Sequence, residues 1–582
     1  MTDQNTHSIN TALRLHEKKI ALFIVLMALV IGIVIHGFFL SKGSYAVTYD
    51  AFVHMFFASK YRHNWFETWT YNWFEGFDLV SYPPLVHQLI AFFSHMLSIE
   101  TSYMIVQLFG VVALITGAFR ISSLWLAPID AAWGAMSASF LTSLAQQIHQ
   151  FGQLPTSFSV GFALHSGFYF VKWLGNARFN DLATALCYLC VVLTSHHLTF
   201  FLLVPVLFAS LTGTFLLCGN SSRDQKMELA QRTGIFIFFA GVTCLIVLLP
   251  FISYVLHHLP AQREIPHATR LNYFADFPRF LNFFAVPLAT TSIFIISMPI
   301  VWIIDRNMRG LIVCVGVLLL FGLGGTTPIP RILLGETWRI LTFDRFAGWA
   351  AVLAIPLNAW WMSKISRFRF KMVLFLFQIL LLVGYFMLLK SVKFQPDPVN
   401  LEKISNFLSD EKHSRFRYVT FGLGSQMAKL SYMTPAPTVD GLYFTARTTK
   451  VLRESGIESI DSAKYYGQRG ESVVDEYLSN PAKYSLRFAI VNDQFYDKFL
   501  EKNNWHKLDG NFSGPIIWET KKEVTPLQES YFRKRSKIQR ISRVLWGCYP
   551  IFFLVVIGLE CFRFIKIGSN RERVDSVQAV DG

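Results

Sequence analysis

Charge is what this sequence has little of. Asp, Glu, Lys and Arg make up 16% of it, against roughly 25% in a water-soluble domain. With 53% apolar residues and so few charges, a soluble globule of this length could not cover its own surface, and lipid is the natural solvent for the excess. Acidic residues are the scarcer sign: 38, against 53 Lys and Arg, for a net charge of +15. The basic residues form no nucleic-acid stripe. They sit in short loops between apolar runs, the positive-inside pattern of a chain beside anionic lipid, so no nucleic-acid partner is expected. Cysteine is sparse as well. Its seven copies lie in or beside apolar runs and none falls between Ser391 and Arg540, so the one long polar segment is not a disulfide scaffold. Cys187 and Cys190 have C-x-x-C spacing inside an apolar helix, which reads as packing. Internal repeats and low-complexity tracts are missing too.

Apolar runs of bilayer length are plentiful. After a polar cytoplasmic N-terminus at 1–19, Ile20–Leu40 is long enough to span and lacks a small-residue cleavage site, so it reads as a retained first helix. Further spans near 102–119, 128–147, 155–172, 181–194, 196–217, 234–254, 283–304, 310–323, 345–363, 372–390 and 541–566 bring the count to twelve. Arg120, Lys172 with Arg178, and Arg306 with Arg309 mark inner loops. Both termini, including a tail at 567–582, are then cytoplasmic, in the plasma (inner) membrane. Leu85–Leu97 is too short to cross and reads as re-entrant or interfacial. Ala51–Phe66, followed by Trp65, Trp69 and Trp73 at four-residue spacing, reads as lying flat on the outer membrane surface. Residues 391–540 read as a small extracytoplasmic α/β domain. It has a helix at Leu401–Leu408 behind Asn400 and strands at Arg417–Phe421 and Phe488–Val491. Asn511-Phe512-Ser513 matches a glycosylation sequon.

Polar residues collect at the outer ends of the spans, in loops 41–84, 255–282 and 324–344, where burial at membrane depth is costly and a shared cavity explains them. Asp50 and His54 share a helix face and suit proton transfer; the alternative is that Asp50 only caps the helix starting at Ala51. Tyr82, His149, Gln153, His196, His197, Glu264 and His267 are candidate substrate contacts. Arg263, Arg331, Arg339 and Arg345 stand where outer loops are normally poor in Arg, and a lipid phosphate would account for them. Asp344 and Arg345 read equally as an ion pair or as an arginine free to reach that phosphate. His196 and His197 point about 100° apart on a helix and no full metal-ligand set is evident, although a divalent metal stays open. Gly322-Leu323-Gly324-Gly325 and Gly422-Leu423-Gly424 read as tight turns.

The order of these features resembles the GT-C superfamily of membrane glycosyltransferases. The resemblance rests on an N-in first helix, an acidic residue soon after it (Asp50), surface helices, a Tyr82-Pro83-Pro84-Leu85 turn and a second large outer loop at Val255–Asn282. Ser195-His196-His197-Leu198-Thr199, Gly324–Pro330 with Asp344-Arg345-Phe346, and Thr438-Val439-Asp440-Gly441 are most similar to prokaryotic membrane proteins labelled 6-pyruvoyl-tetrahydropterin synthase-related. The three-histidine zinc site of a pterin synthase is not legible here. The resemblance implies a GT-C-like polytopic α-helical fold. It also implies an extracytoplasmic transferase moving a sugar from a polyprenyl-phosphate donor to an envelope glycan, lipid or protein, with Asp50 as general base. Membrane lipid and the polyprenyl-linked sugar are the implied partners. A transporter or flippase of lipid-linked substrates and a non-catalytic envelope assembly protein are the rival classes.

Overall fold

The fold is taken from a computed structural model that describes residues 2–218, 222–258, 262–508 and 514–563. The sequon at 511–513, the tail at 567–582 and part of the second outer loop lie outside the described residues.

Long apolar runs with few charges form helices that keep every backbone hydrogen bond internal, which is what a bilayer demands. Among the described residues six segments are long and apolar enough to cross one: Leu15–Ser41, Ile99–Ser122, Arg223–Leu256, Phe277–Ile304, Phe368–Ser391 and Arg540–Arg563. Phe179–Ser195 and Thr199–Thr214 are shorter apolar helices. The chain is a polytopic α-helical membrane protein with a small α/β domain. Ile99–Ser122 packs on Leu154–Asn176, which in turn packs on Phe179–Ser195. The segment expected to span 128–147 is broken. Pro128–Ala138 and Thr142–Gln146 are separate helices, and Gln147–Phe151 is a π-turn. Leu85–Phe93 is a nine-residue helix, about 14 Å long at 1.5 Å per residue and too short to cross.

Near the end of Ile99–Ser122, polar groups from separate helices saturate one another. Arg120 pairs with Glu560. Glu560 also accepts from Tyr188 at 2.8 Å and from Arg563 at 2.9 Å. Arg563 donates to Thr184 at 2.8 Å, and Arg120 lies 3.0 Å from the His165 ring nitrogen. This network ties the last helix to the bundle.

Two short strands in the first outer loop, β1 (Trp69–Thr70) and β2 (Phe77–Asp78), pair antiparallel. The outer domain holds β3 (Arg417–Phe421), β4 (Leu486–Val491), β5 (Trp505–Lys507) and β6 (Ile516–Thr520) in the order β3-β4-β6-β5. β3 and β4 are parallel, and the remaining pairs are antiparallel. The two strands read from sequence, β3 and β4, are the parallel, almost wholly buried pair, β3 at one edge and β4 inside the sheet; β5 is only three residues long and β6 ends in Glu519-Thr520, and their signal is weaker. Asn400 accepts from the Glu402 N–H at 2.9 Å, as a helix start requires.

The outer domain does not stand apart from the membrane module. Thr438 donates to Asn72 at 2.8 Å, and Tyr443 and Tyr531 donate to the carbonyls of Ser81 and Tyr71 at 2.8 Å each. This corrects the placement of the first outer loop. Helix Ala51–His63 is buried on nearly every face, under helix Gln426–Met433 and over Leu85–Phe93. Trp73 is fully buried and stacks on Phe56 at 3.9 Å, and Trp65 donates to the Gly547 carbonyl at 2.9 Å. The aromatic residues that suggested a headgroup layer are the glue between two protein parts, because protein covers them as well as lipid would.

Candidate functional site

Asp50 follows the first helix after a short turn at Ser44–Val47. Its N–H donates to the Phe151 carbonyl at 3.0 Å, and its own carbonyl accepts from His54 at 3.1 Å to open helix Ala51–His63. Phe151 closes the π-turn, and Gly152 follows with φ of 70°. A Cβ on Gly152 would lie 2.5 Å from Thr48 Oγ1 and 2.8 Å from the Ala51 nitrogen, so only glycine lets the two turns meet. This contact sets where Asp50 points.

The Asp50 side chain makes no cap hydrogen bond. Thr48 Oγ1 accepts the Ala51 N–H instead, at 3.3 Å. The capping alternative is thereby set aside, and the carboxylate is left for chemistry. Burial pushes its pKa up to about 7; Arg345 draws it back, and the negative charges of Glu458 and Asp344 add to the rise. A carboxylate in that range is half ionised near neutral pH, which suits a proton acceptor.

Asp344 and Arg345 turn to different partners. Asp344 Oδ2 accepts from Gln153 Nε2 at 2.9 Å, and Arg345 Nη1 donates to Thr342 Oγ1 at 2.7 Å. The guanidinium is thus not consumed by its neighbour. Arg345 Nε and Gln153 Oε1 are buried with no hydrogen-bond partner among the described residues, a costly arrangement unless a ligand completes it. The Gly324-Gly325 turn explains how this pair is seated. The space a side chain would need at these positions is filled by the carbonyls of Thr269 and Arg270. Thr326 Oγ1 accepts from Tyr273 at 3.0 Å, and Thr269 Oγ1 accepts the Phe343 N–H at 3.1 Å. The second outer loop is thus docked against the start of helix Asp344–Leu353, and His267 comes with it. The Asp344 charge reaches His267, although burial dominates and lowers the imidazole pKa to about 4.

His196 is buried, with Nδ1 2.7 Å from Thr199 Oγ1. Arg345 is among the charged groups close to it. Tyr82 feels both Asp50 and Arg345, and its hydroxyl pKa is raised chiefly by burial. Asp50, Tyr82, Gln153, His196, His267 and Arg345 are therefore brought together. His54 Nδ1 lies 3.1 Å from His87 Nε2 and the two rings stack at 5.3 Å, with the Gly152 backbone and His196 close by, so His54 lines the same site.

The other sequence candidates lie elsewhere. His149 is fully buried between His36 at 3.0 Å and Ser44 at 2.7 Å, where it pins the first helix to the π-turn. His197 packs on Phe251 at 4.3 Å, diverging from His196 as adjacent residues do. Glu264 pairs with Arg270 at 3.6 Å and Arg339 at 3.9 Å, and Arg339 with Glu336 at 2.8 Å. Glu264, Arg339 and Glu336 form an exposed rim that is charge-compensated within the protein, and Arg270 reaches Glu264 from a buried position. Arg263 and Arg331 are exposed. Sequence reasoning missed His87, Tyr103 and Glu458, whose neighbourhood is decided by segments hundreds of residues apart. Among the described residues no three His, Cys, Asp or Glu side chains cluster as metal ligands, and no step is assigned to a metal here.

No protein-family model and no curated protein matches this chain. Solved structures do. ArnT from Cupriavidus metallidurans in the apo state aligns with a TM-score of 0.52 at 10% identity, over 85% of this chain and 97% of that one. The same protein bound to undecaprenyl phosphate gives 0.51 at 10% identity, over 87% and 99%. The Archaeoglobus fulgidus oligosaccharyltransferase in complex with Zn and sulfate gives 0.51 at 10% identity, over 85% and 73%. At that identity the likeness speaks to architecture alone: this chain shares the fold of those structures.

Proposed function

We propose that the chain is an extracytoplasmic glycosyltransferase that takes a sugar from a polyprenyl-phosphate donor and places it on an envelope acceptor. The observation that carries this reading is the Asp50 carboxylate, uncapped, held near neutral titration and set beside the unpaired face of Arg345. Asp50 accepts the proton of an acceptor hydroxyl as that oxygen attacks the anomeric carbon. The bond from that carbon to the phosphate oxygen breaks, its electron pair leaves with the lipid phosphate, and the configuration inverts. Arg345 stabilises the charge that grows on the departing phosphate, a role a guanidinium fork suits. His196, Gln153 and Tyr82 orient the reacting groups. ArnT solved bound to undecaprenyl phosphate supports a lipid-linked phosphate ligand by analogy of fold. The reading carries with it the inner membrane, twelve spans and cytoplasmic termini, a divalent metal remaining a further possibility. The test is incorporation of label from a panel of radiolabelled polyprenyl-phosphate sugars by the purified protein in lipid, with Asp50→Asn alongside. Transfer that disappears in a folded Asp50→Asn protein supports the assignment; full activity in that variant overturns it.

A further inference from the structure

Two helices, Ile355–Lys364 and Phe368–Ser391, meet through the three residues Ile365, Ser366 and Arg367. The joint lies at the end of the bundle away from Asp50. Lys371 stands 6.0 Å from the ring of Trp133, and Gly134 beside that ring packs on Ser122, the last residue of Ile99–Ser122. An open cavity of about 490 Å³ sits in the joint, a size within the roughly 300–1,000 Å³ of ligand sites. Lys364, Ser366 and Arg367 form its polar rim, and Phe370, Val373 and Leu374 form its apolar wall. Phe370 is 50% exposed and Val373 60%, so the wall calls for apolar cover.

Four cations fall within the eight residues from Lys364 to Lys371, the other two being Arg367 and Arg369. Three of them rest on rings: Lys364 lies 5.1 Å from Trp360, Arg369 5.3 Å from Phe370, and Lys371 over Trp133. None of the four forms an ion pair or a side-chain hydrogen bond among the described residues. The carboxylates in the neighbourhood are Asp130, with Glu17 beside it, and Asp305, which accepts from the Trp360 indole at 2.9 Å. Other cations at this end are spent on the protein. Arg120 and Arg563 pair with Glu560, and Arg232 pairs with Glu228 and donates to the Gly175 carbonyl at 3.1 Å. A loop that only marks one side of a bilayer needs cations, but it needs no cavity with an apolar wall beneath them.

We propose that this cavity binds one anionic phospholipid, with the phosphate on Lys364, Ser366 and Arg367 and the acyl chains over Phe370, Val373 and Leu374. The guanidinium grips two phosphate oxygens in a fork, and the ammonium adds a point charge. A basic recess between membrane helices, at the depth where Lys and Arg stems reach for the headgroups, suits such a ligand. The apolar wall selects the lipid over a free phosphate, which would leave Phe370 and Val373 uncovered. The site lies far from Asp50 and is independent of the transferase reading.

The test uses the full-length protein in neutral detergent and needs no turnover. Native mass spectrometry counts bound lipid as dioleoyl phosphatidylglycerol or dioleoyl phosphatidylcholine is titrated in. The wild type binds one phosphatidylglycerol about tenfold or more tighter than phosphatidylcholine; equal binding of the two overturns the proposal. Lys364→Gln with Arg367→Gln weakens phosphatidylglycerol binding by about tenfold or more, whereas Arg223→Gln with Lys226→Gln, an equal charge loss at the start of helix Arg223–His258, changes it by less than about twofold. Equal losses in the two pairs, or none in the first, overturn the site. A second variant guards against misfolding. Val373→Trp keeps every charge, faces outward and fills the wall, and weakens the lipid by about fivefold; unchanged binding there overturns the cavity as its seat. Displacement of the lipid by millimolar inorganic phosphate shows that the rim takes a free anion, and overturns the lipid assignment.

Discussion

Two polar clusters share one helix. Tyr103, near the start of Ile99–Ser122, feels the Asp50 charge, and Arg120, seventeen residues on, sits in the Glu560 network, about 25 Å away along the axis. Both clusters place ionisable groups inside an apolar protein. They differ in how the groups are satisfied. Around Glu560 nearly every donor meets an acceptor, from Tyr188, Arg563 and Arg120. Around Asp50 the groups are left open: an uncapped carboxylate, a guanidinium nitrogen and an amide oxygen without partners. Saturated polar groups at membrane depth hold helices together, whereas open ones wait for a ligand. The same residue types thus do structural work at one end and chemical work at the other.

The comparison is broken most directly at Asp50. Asp50→Asn is expected to lower kcat by about a thousandfold, the scale of a lost general base, measured as label transfer, with the protein still folded. At the other cluster the effect falls on stability. Glu560→Ala leaves Arg120 and Arg563 facing each other unpaired and should cost about 3 kcal/mol, seen as early thermal unfolding in detergent. Replacing Arg120 and Glu560 together by Met should recover much of that loss, since an apolar pair needs no partner. Arg345→Lys keeps the charge but loses the fork, and is expected to lower kcat roughly tenfold or more with little change in stability.

The pH profile sharpens the contrast further. With Asp50 pushed up to about 7, kcat/KM should fall as pH drops through that value, because the base becomes protonated. The stability sign is opposite to that of a salt-bridged carboxylate. The folded protein holds a proton that the unfolded chain has released above about pH 4, so the contribution of Asp50 to stability declines between there and pH 7. Asp50→Asn should therefore raise Tm at pH 8, and the gain should shrink toward pH 4. The smallest effect belongs to the compensated rim: Arg339→Ala, which removes an exposed pair with Glu336, should change transfer by no more than about threefold.

Much of this was legible before any coordinates. Apolar run length gave the six helices of membrane length found among the described residues, against an expected twelve, and the alternation of the segment from 391 gave an α/β domain with its parallel strand pair. Asp50 read equally as a cap for the helix starting at Ala51 or as a proton acceptor, and the resemblance favoured the second; only the structure shows that it makes no cap hydrogen bond. The arginines were harder. Arg263, Arg331, Arg339 and Arg345 look alike in sequence, and only Arg345 lies beside Asp50, because docking of the Gly324-Gly325 turn decides which loop faces inward. The histidines failed for a related reason. His149 and His196 are both buried, but the partners His36 and Ser44 consume one ring and leave the other facing the site.

What the sequence determined by itself is the solvent each segment requires. Run length and charge scarcity set that, since transfer energies depend on composition more than on neighbours. The tertiary structure alone decided which polar groups are left unsatisfied. Hydrogen bonds are short-ranged and directional. Whether Asp50 and Arg345 end up spent on the protein or free for a ligand depends on contacts between the turn after the first helix, the π-turn at Gln147–Phe151 and the second outer loop.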